Sequence, residues 1–517
     1  MKKTPAPQAA TLKIGWATRD VSTDKPVDIP GQFHIRVSQG VLDPITATAL
    51  VVENGEDVLI FVSADFVSIS PYLVTEVRDR VAALNPAIPV AKIIFNATHT
   101  HEGAGYYKAA IAGMASPGQV PHDGIAIADP DVYRAFLAEQ MASAVCEAYD
   151  RRQGGGVAYG YGFAVVGHSR REIYFDDVSK RPGVVARPGM MVDGHAKMYG
   201  PTSDDKFSHY EAGCDPFINL LYTFDAAGKL TGAIINVPCP SQCSEQLQQL
   251  SADYWNDVRL AIRERHGDIF ILPQCAAGGD LAPRIQHYYG AQKRRFALKY
   301  GGAGDGRDLH LWQRRDIAER IAAAFDEVLG WAGKDIRTAL PIQHGVEAIE
   351  LSRRAITDEE AAIQQQLLAE LNAEPFKTGG TPAECLQYNS TLVARRNRCK
   401  HVLQRFEEQK TRPTCAMELH VARLGDIAFA TNPFELYMDY MHRIQARSPF
   451  QQTFVIQLTG NPLGVAGYLA TERGEWGGGY SASLYCNQIS FKGGQELVEN
   501  TVLRLKEFAG KIPCGAC

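Results

Sequence analysis

Residues 91–107 read AKIIFNATHTHEGAGYY, and the rest of the chain is read outward from them. Ile93-Ile94-Phe95 is apolar, rich in β-branched residues and too short for a helix, so a buried strand is expected. It runs into Asn96-Ala97-Thr98 and then His99-Thr100-His101-Glu102, with Gly103 and Gly105 allowing a sharp turn just beyond. Open α/β sheets bind ligands beyond the carboxyl ends of their strands. Two histidines at such an end, with an acid beside them, make a candidate metal or acid–base site. If the strand ran on through the motif, period-two alternation would put His99 and His101 on one face, as ordinary partly buried histidines with hydrogen-bond partners. The H-x-H spacing alone leaves both readings open.

Upstream, residues 11–17 and 47–64 read as strands, the latter a hairpin broken at Glu53-Asn54-Gly55-Glu56 and ending at Asp65, a second candidate strand-end residue. A helix is expected over 71–85, so strand, strand, helix, strand suggests an α/β body. Downstream, 103–130 is a long Gly/Ala/Pro-rich segment of the kind that forms binding loops, followed by a helix over 131–151. The next strand delivers Gly167-His168-Ser169-Arg170-Arg171, and an arginine at a strand end can bind an anionic or carbonyl oxygen. Residues 175–215 read as irregular loop. Strands at 218–225 and 230–237 lead to Pro238-Cys239-Pro240, a helix reaches about residue 265, and IFILPQ ends in Gly278-Gly279-Asp280. Helices are expected over 307–334, 357–372 and about 390–410, with a strand at 343–352. Strands at 417–425, 426–432 and 453–460 follow, and Asn432-Pro433-Phe434-Glu435 reads as a helix start with proline in its first turn. Gly477-Gly478-Gly479-Tyr480 reads as a flexible loop, with Tyr480 a candidate substrate contact. No internal repeat is evident.

The 517 residues exceed the roughly 250–300 at which a single core stops growing. The expectation is one large body over 11–510, with a helical elaboration at about 355–412 and flexible tails at 1–10 and 511–517. Hydrophobic content of 45%, charged content of 21% and a net charge of −5 without basic runs fit a globular protein that does not bind nucleic acid. The eleven cysteines are irregularly spaced and suggest no disulfide framework; Cys514 and Cys517 form a lone C-x-x-C. Neither a signal-peptide apolar core nor a membrane span is evident, so a cytoplasmic protein with a small-molecule or glycan substrate is expected.

Four motifs, in order, resemble the catalytic domain of the neutral, non-lysosomal ceramidase family. Ala97-Thr98-His99-Thr100-His101 is similar to the family's A-T-H-T-H-S-G-P, and Gly279-Asp280-Leu281-Ala282-Pro283 to its G-D-V-S-P. Pro433-Phe434-Glu435 is similar to the segment carrying a glutamate metal ligand, and Gly467-Tyr468-Leu469-Ala470-Thr471 to G-Y-x-P-T. The resemblance implies a mixed β-sheet α/β body flanked by helices, without the family's C-terminal immunoglobulin-like domain. It also implies a zinc whose bound water attacks an amide. His99, Glu435 and Tyr468 would be metal ligands. His101 and Arg170 would meet the reacting carbonyl, with Arg171 and His168 beside the substrate. Apart from the resemblance, Asp280 after Gly278-Gly279 either orients a ligand or simply forms the turn.

The departures bear on chemistry. The family's second zinc histidine precedes a proline, where this chain has Cys239-Pro240. Cys239 either replaces it as a thiolate ligand or marks a centre with another divalent metal or none. Glu102 follows H-T-H in place of serine. Three functions follow. The first is a metal-dependent hydrolase of an amide or ester in a soluble polar substrate. The second is a glycoside hydrolase or lyase using His101, Glu102, Asp65 and Glu435. The third is a ligand-binding relative without catalysis.

Overall fold

The structure, a computed structural model, describes residues 11–107, 113–184, 194–301 and 306–510. The expected tails, with Cys514 and Cys517, and parts of the two long loops fall outside them. An eight-stranded mixed sheet runs, in spatial order, Phe270–Cys275, Leu230–Val237, Phe217–Asp225, Gln153–Phe163, Lys13–Asp20, Thr46–Glu53, Val58–Ala64, Ile93–Ala97. A four-stranded sheet, Ile342–Ser352, Thr414–Leu424, Ile427–Thr431, Gln452–Ile456, packs on one of its faces.

Alternation along the strands explains the layering. In Thr46–Glu53, Ala47, Ala49 and Val51 face the helices Pro71–Leu84 and Pro130–Asp150. Leu50 and Val52 face the second sheet, in a core where Phe61 meets Phe429 at 5.0 Å between ring centroids. Helices Tyr254–His266 and Gly306–Ala332 cover the other half of the large sheet. Helices Met438–Arg447 and Phe491–Phe508 close the far side of the small one. The result is helix, sheet, sheet, helix.

One topological unit recurs three times: an antiparallel hairpin, a crossover helix, and a strand returning parallel to the hairpin's second strand. It forms from 46–97, 217–275 and 414–456. No sequence repeat announces it, because strand pairing needs only apolar alternation and turns, which different residues supply equally well.

The Asn54-Gly55 turn forms as expected, with Gly55 at φ +82° and Asn54 Oδ1 accepting the amides of Glu56 and Asp57. The 175–215 segment contains two short strands, Ala196–Met198 and Phe207–Tyr210, flanking Arg171–Tyr174. One expected helix start is a strand. Phe434–Leu436 pairs in parallel with Gly467–Leu469, and the helix begins at Met438. Asn432 Oδ1 takes the Phe434 amide and Gln457 Oε1 takes that of Leu436, which holds the backbone extended. Gly477-Gly478-Gly479 is also more ordered than a flexible loop: Glu472–Gly477 is a short helix, and Gly478 and Gly479 turn the chain at positive φ.

Candidate active site where the two sheets meet

The parallel edge strand Ile93–Ala97 ends against the second sheet, the Ala97 amide donating to the Leu458 carbonyl. The chain turns at once, so the strand does not continue through the histidines. His99 has φ +61°, a backbone conformation that non-glycine residues occupy only when their surroundings hold them. Its Nδ1 lies 2.6 Å from the Val67 carbonyl, an acceptor only, so Nδ1 carries the proton. Nε2 then faces Glu435 Oε2 at 3.3 Å. The His101 ring stands edge-on, 5.0 Å away between centroids, with Nδ1 2.9 Å from Glu245 Oε2. Gly31, at φ +112°, backs that ring: a Cβ there would come within 2.8 Å of its Cγ.

The short parallel pair puts Glu435 directly beside Tyr468. Between them reaches Arg170, 1% exposed. Its Nη2 donates to Tyr468 OH (3.1 Å), the Gly279 carbonyl (3.0 Å) and Glu435 Oε2 (3.4 Å); Nη1 donates to Gln242 Oε1 (3.2 Å) and Tyr199 OH (3.4 Å). Burial would raise the Glu435 carboxyl, but His99, Arg170 and the Tyr468 hydroxyl hold it down at about 2. Glu245 is likewise raised by burial and brought to about 2 by His101, Arg284 and Arg36. Both are carboxylates at neutral pH. His99, His101, Arg170, Glu245, Glu435, Tyr468 and Tyr480 line one cavity of about 350 Å³. A second chamber of about 320 Å³, walled by Val67, Ile69, Leu458 and Val465, adjoins it at His99 and Glu435.

Two solved structures share this arrangement of sheets and helices. The neutral ceramidase from Pseudomonas aeruginosa matches with a TM-score of 0.64 at 17% sequence identity, over 98% of this chain and 75% of that one. A ceramidase complexed with C2 matches with a TM-score of 0.62 at 15% identity, over 98% and 76%. The chain has the neutral ceramidase fold. No protein-family model matches the sequence, and no curated protein matches it.

Within the neutral ceramidase fold, several expected site residues fall outside the cavity. Cys239 is fully buried, its thiol pushed well up by burial and directed at the Pro240 carbonyl. The same segment sends Gln242 and Glu245 to the cavity instead. Glu102 lies beneath the floor, bonded to Ser244 Oγ at 2.6 Å, and burial with the neighbouring Asp253 raises it to about 8. Asp65 forms a two-pronged ion pair with Arg259 at 2.9 and 3.1 Å. Arg171 is paired with Glu211 at 2.7 Å, and His168 sits on a two-residue strand, lowered to about 4 by burial. Asp280 accepts the Met438 amide at 3.0 Å, and its carbonyl accepts the Arg170 amide. It fixes the backbone on either side of the site rather than facing the cavity. Glu245, Gln242, Tyr199 and Arg36 were not anticipated. Glu245 follows the 230–237 strand closely enough that strand-end placement was the available signal.

The donor set bears on a metal. With Nδ1 taken by the Val67 carbonyl, His99 turns Nε2 toward Glu435 Oε2, where either a proton on Nε2 or a metal cation would bridge the two. Their 3.3 Å separation matches the edge between two ligands of a tetrahedral zinc bonded at about 2.0–2.1 Å. Among the described residues no group of three His, Cys, Asp or Glu can hold a metal; the third donor here is the Tyr468 hydroxyl. His99, Glu435 and Tyr468 are the residues that could hold a metal here, leaving a position open as catalytic zinc sites do, with the Val67 carbonyl orienting the histidine.

His101 depends on Glu245 in the same way. Replacing Glu245 with glutamine should lower kcat by about 10–100-fold with little change in KM, measured by steady-state kinetics; unchanged kcat would free His101 from this role.

Proposed function

We propose that the chain is a hydrolase of an amide or ester bond in a small, largely polar substrate, with a divalent metal, zinc first, held by His99, Glu435 and Tyr468. The convergence of these three donors with Arg170 in one cavity carries the reading. Bound there, the metal would polarise a carbonyl and acidify a water. Arg170 lines the cavity, and an oxyanion developing beside its guanidinium would gain from a buried cationic donor. His101, its Nδ1 engaged by Glu245, keeps Nε2 to take a proton from the attacking water and return it to the leaving group. Tyr199 and Gln242 hold the guanidinium in plane. The adjoining chamber takes one small apolar group of the substrate.

The carbohydrate-active alternative ranks second, because Glu102 and Asp65, on which it relied, are engaged outside the cavity. Elemental analysis of the purified protein tests the reading directly. About one zinc per chain is expected, lost in His99→Ala while circular dichroism stays native. Turnover of aryl esters or anilides should be lost with it. Metal-free, folded wild-type protein that turns over neither substrate class would overturn the proposal.

A further inference from the structure

A larger cavity, about 880 Å³, opens between the long helix Pro382–Gln409 and the strands Ile342–Ser352 and Thr414–Leu424. It is a place where the chain has assembled positive charge. Arg353, Lys400, Arg405 and Arg412 line it, against Glu350 and Glu408. Glu408 is already matched by Arg353 at 3.1 Å.

Arg405 is the unusual member. It is 3% exposed, and its two terminal nitrogens donate to the Leu484 and Asn487 carbonyls at 2.6 and 2.7 Å. Among the described residues no carboxylate pairs with it, and the charged neighbours acting on it include two more cations, Arg354 and Arg353. Burial first, and then those arginines, bring its guanidinium down to about 10. The same positive field reaches His401 in the cavity wall, which burial and then Arg405 lower to about 4, so His401 is neutral at physiological pH.

A buried cation held only by neutral carbonyls, with like charges beside it, is costly unless an anion completes it. Arg353 and Arg405 from different elements, with Lys400 and Arg412 at the rim, bring four cations to one cavity against two acids, a surplus that suits an oxyanion. The volume exceeds what a bare oxyanion fills and lies within the range of small-ligand pockets.

We propose that this cavity is an anion-binding site for a phosphate or sulfate group, free or as an ester on a small organic molecule, with Arg405 at its floor. The site is separate from the hydrolase centre and does not rest on that reading. It shares Gly464, Val465 and Gln488 with the chamber beside His99 and Glu435, so an occupant would touch the wall of the active-site region.

Calorimetric titration of the full chain with inorganic phosphate at constant ionic strength tests it, alongside thermal unfolding. Saturable one-to-one binding is expected, with a rise in Tm that chloride does not reproduce. Arg405→Met should abolish the binding. Because Arg405 also holds two carbonyls, that variant can fail to fold, so Lys400→Ala/Arg412→Ala serves beside it. Both of its positions are exposed, and phosphate affinity should fall at least about tenfold. A sugar phosphate binding more tightly than phosphate identifies an organic ester as the occupant; equal affinity identifies the free ion. No saturable binding to wild type, or binding undiminished in both variants, overturns the proposal.

Discussion

Replacing Arg170 with methionine is expected to lower kcat on an ester or amide substrate by about 10²–10³-fold, the usual cost of deleting a preorganised oxyanion donor. Methionine keeps much of the side chain's bulk and removes its charge. The guanidinium now ties together Glu435, Tyr468, the Gly279 carbonyl, Gln242 and Tyr199. No other arginine or lysine lines this cavity among the described residues. Arg170→Lys should fall between the two, because an ammonium restores charge but not the planar fork that spans Tyr468 and Gln242. Steady-state kinetics on folded protein is the measurement. A methionine variant with wild-type kcat would remove Arg170 from the chemistry and leave it a structural tie.

The second large effect is on stability. Arg314, 2% exposed, serves a buried acidic cluster beneath the site floor. It reaches Asp43 and Asp257 at 2.8 Å, and the Ser251 and Ser244 hydroxyls at 3.1 and 3.3 Å. Asp253 accepts the Cys243 and Ser244 amides nearby, and Glu102 shares Ser244 with it. Arg314→Met leaves three aspartates around one vacated cation. Breaking a buried pair from one side costs about 3–5 kcal/mol, a large share of the roughly 5–15 kcal/mol that holds a typical domain together. Urea unfolding at pH 7 measures it. Adding Asp43→Asn to the variant should recover part of the loss, since it removes one stranded charge. A loss below about 1 kcal/mol in the single variant would mean that water reaches the cluster and screens it.

The fold was largely readable because its boundaries are marked by residues with local physical meaning. Asn54-Gly55 makes the hairpin, Ile93-Ile94-Phe95 has the length and β-branching of a strand, and polar, glycine- or proline-marked turns follow the strands ending at 97, 237 and 275. The candidate site was legible where a residue follows a strand closely, as with His99, His101 and Arg170, or sits in a quoted motif, as with Glu435 and Tyr468. It was not legible where a turn decides direction. Cys239 and Gln242 are three residues apart, yet only Gln242 faces the cavity, and no periodicity governs side chains in an irregular segment. Asn432-Pro433 reads as a helix start by local preference. The pairing of Glu435 with Tyr468, 33 residues on, overrides it by a contact that a local reading cannot contain. Glu102 and Asp65 carry charge at strand ends, but buried arginine and serine partners from far along the chain claim them first.

That late pairing also orders events during synthesis. The large sheet is complete once residue 275 has been made, and both histidines are already in place on its edge. The acid and the phenol that face them arrive only with Phe434–Leu436 and Gly467–Leu469. At about 5–20 residues per second, a nascent chain spends on the order of ten seconds with its main body able to form and its reactive centre open. A molecule stalled or clipped in that interval would lack the acid and the phenol and leave the sheet face of Leu50, Val52 and Phe61 uncovered, so any chemistry this protein performs is withheld until nearly the whole chain has left the ribosome.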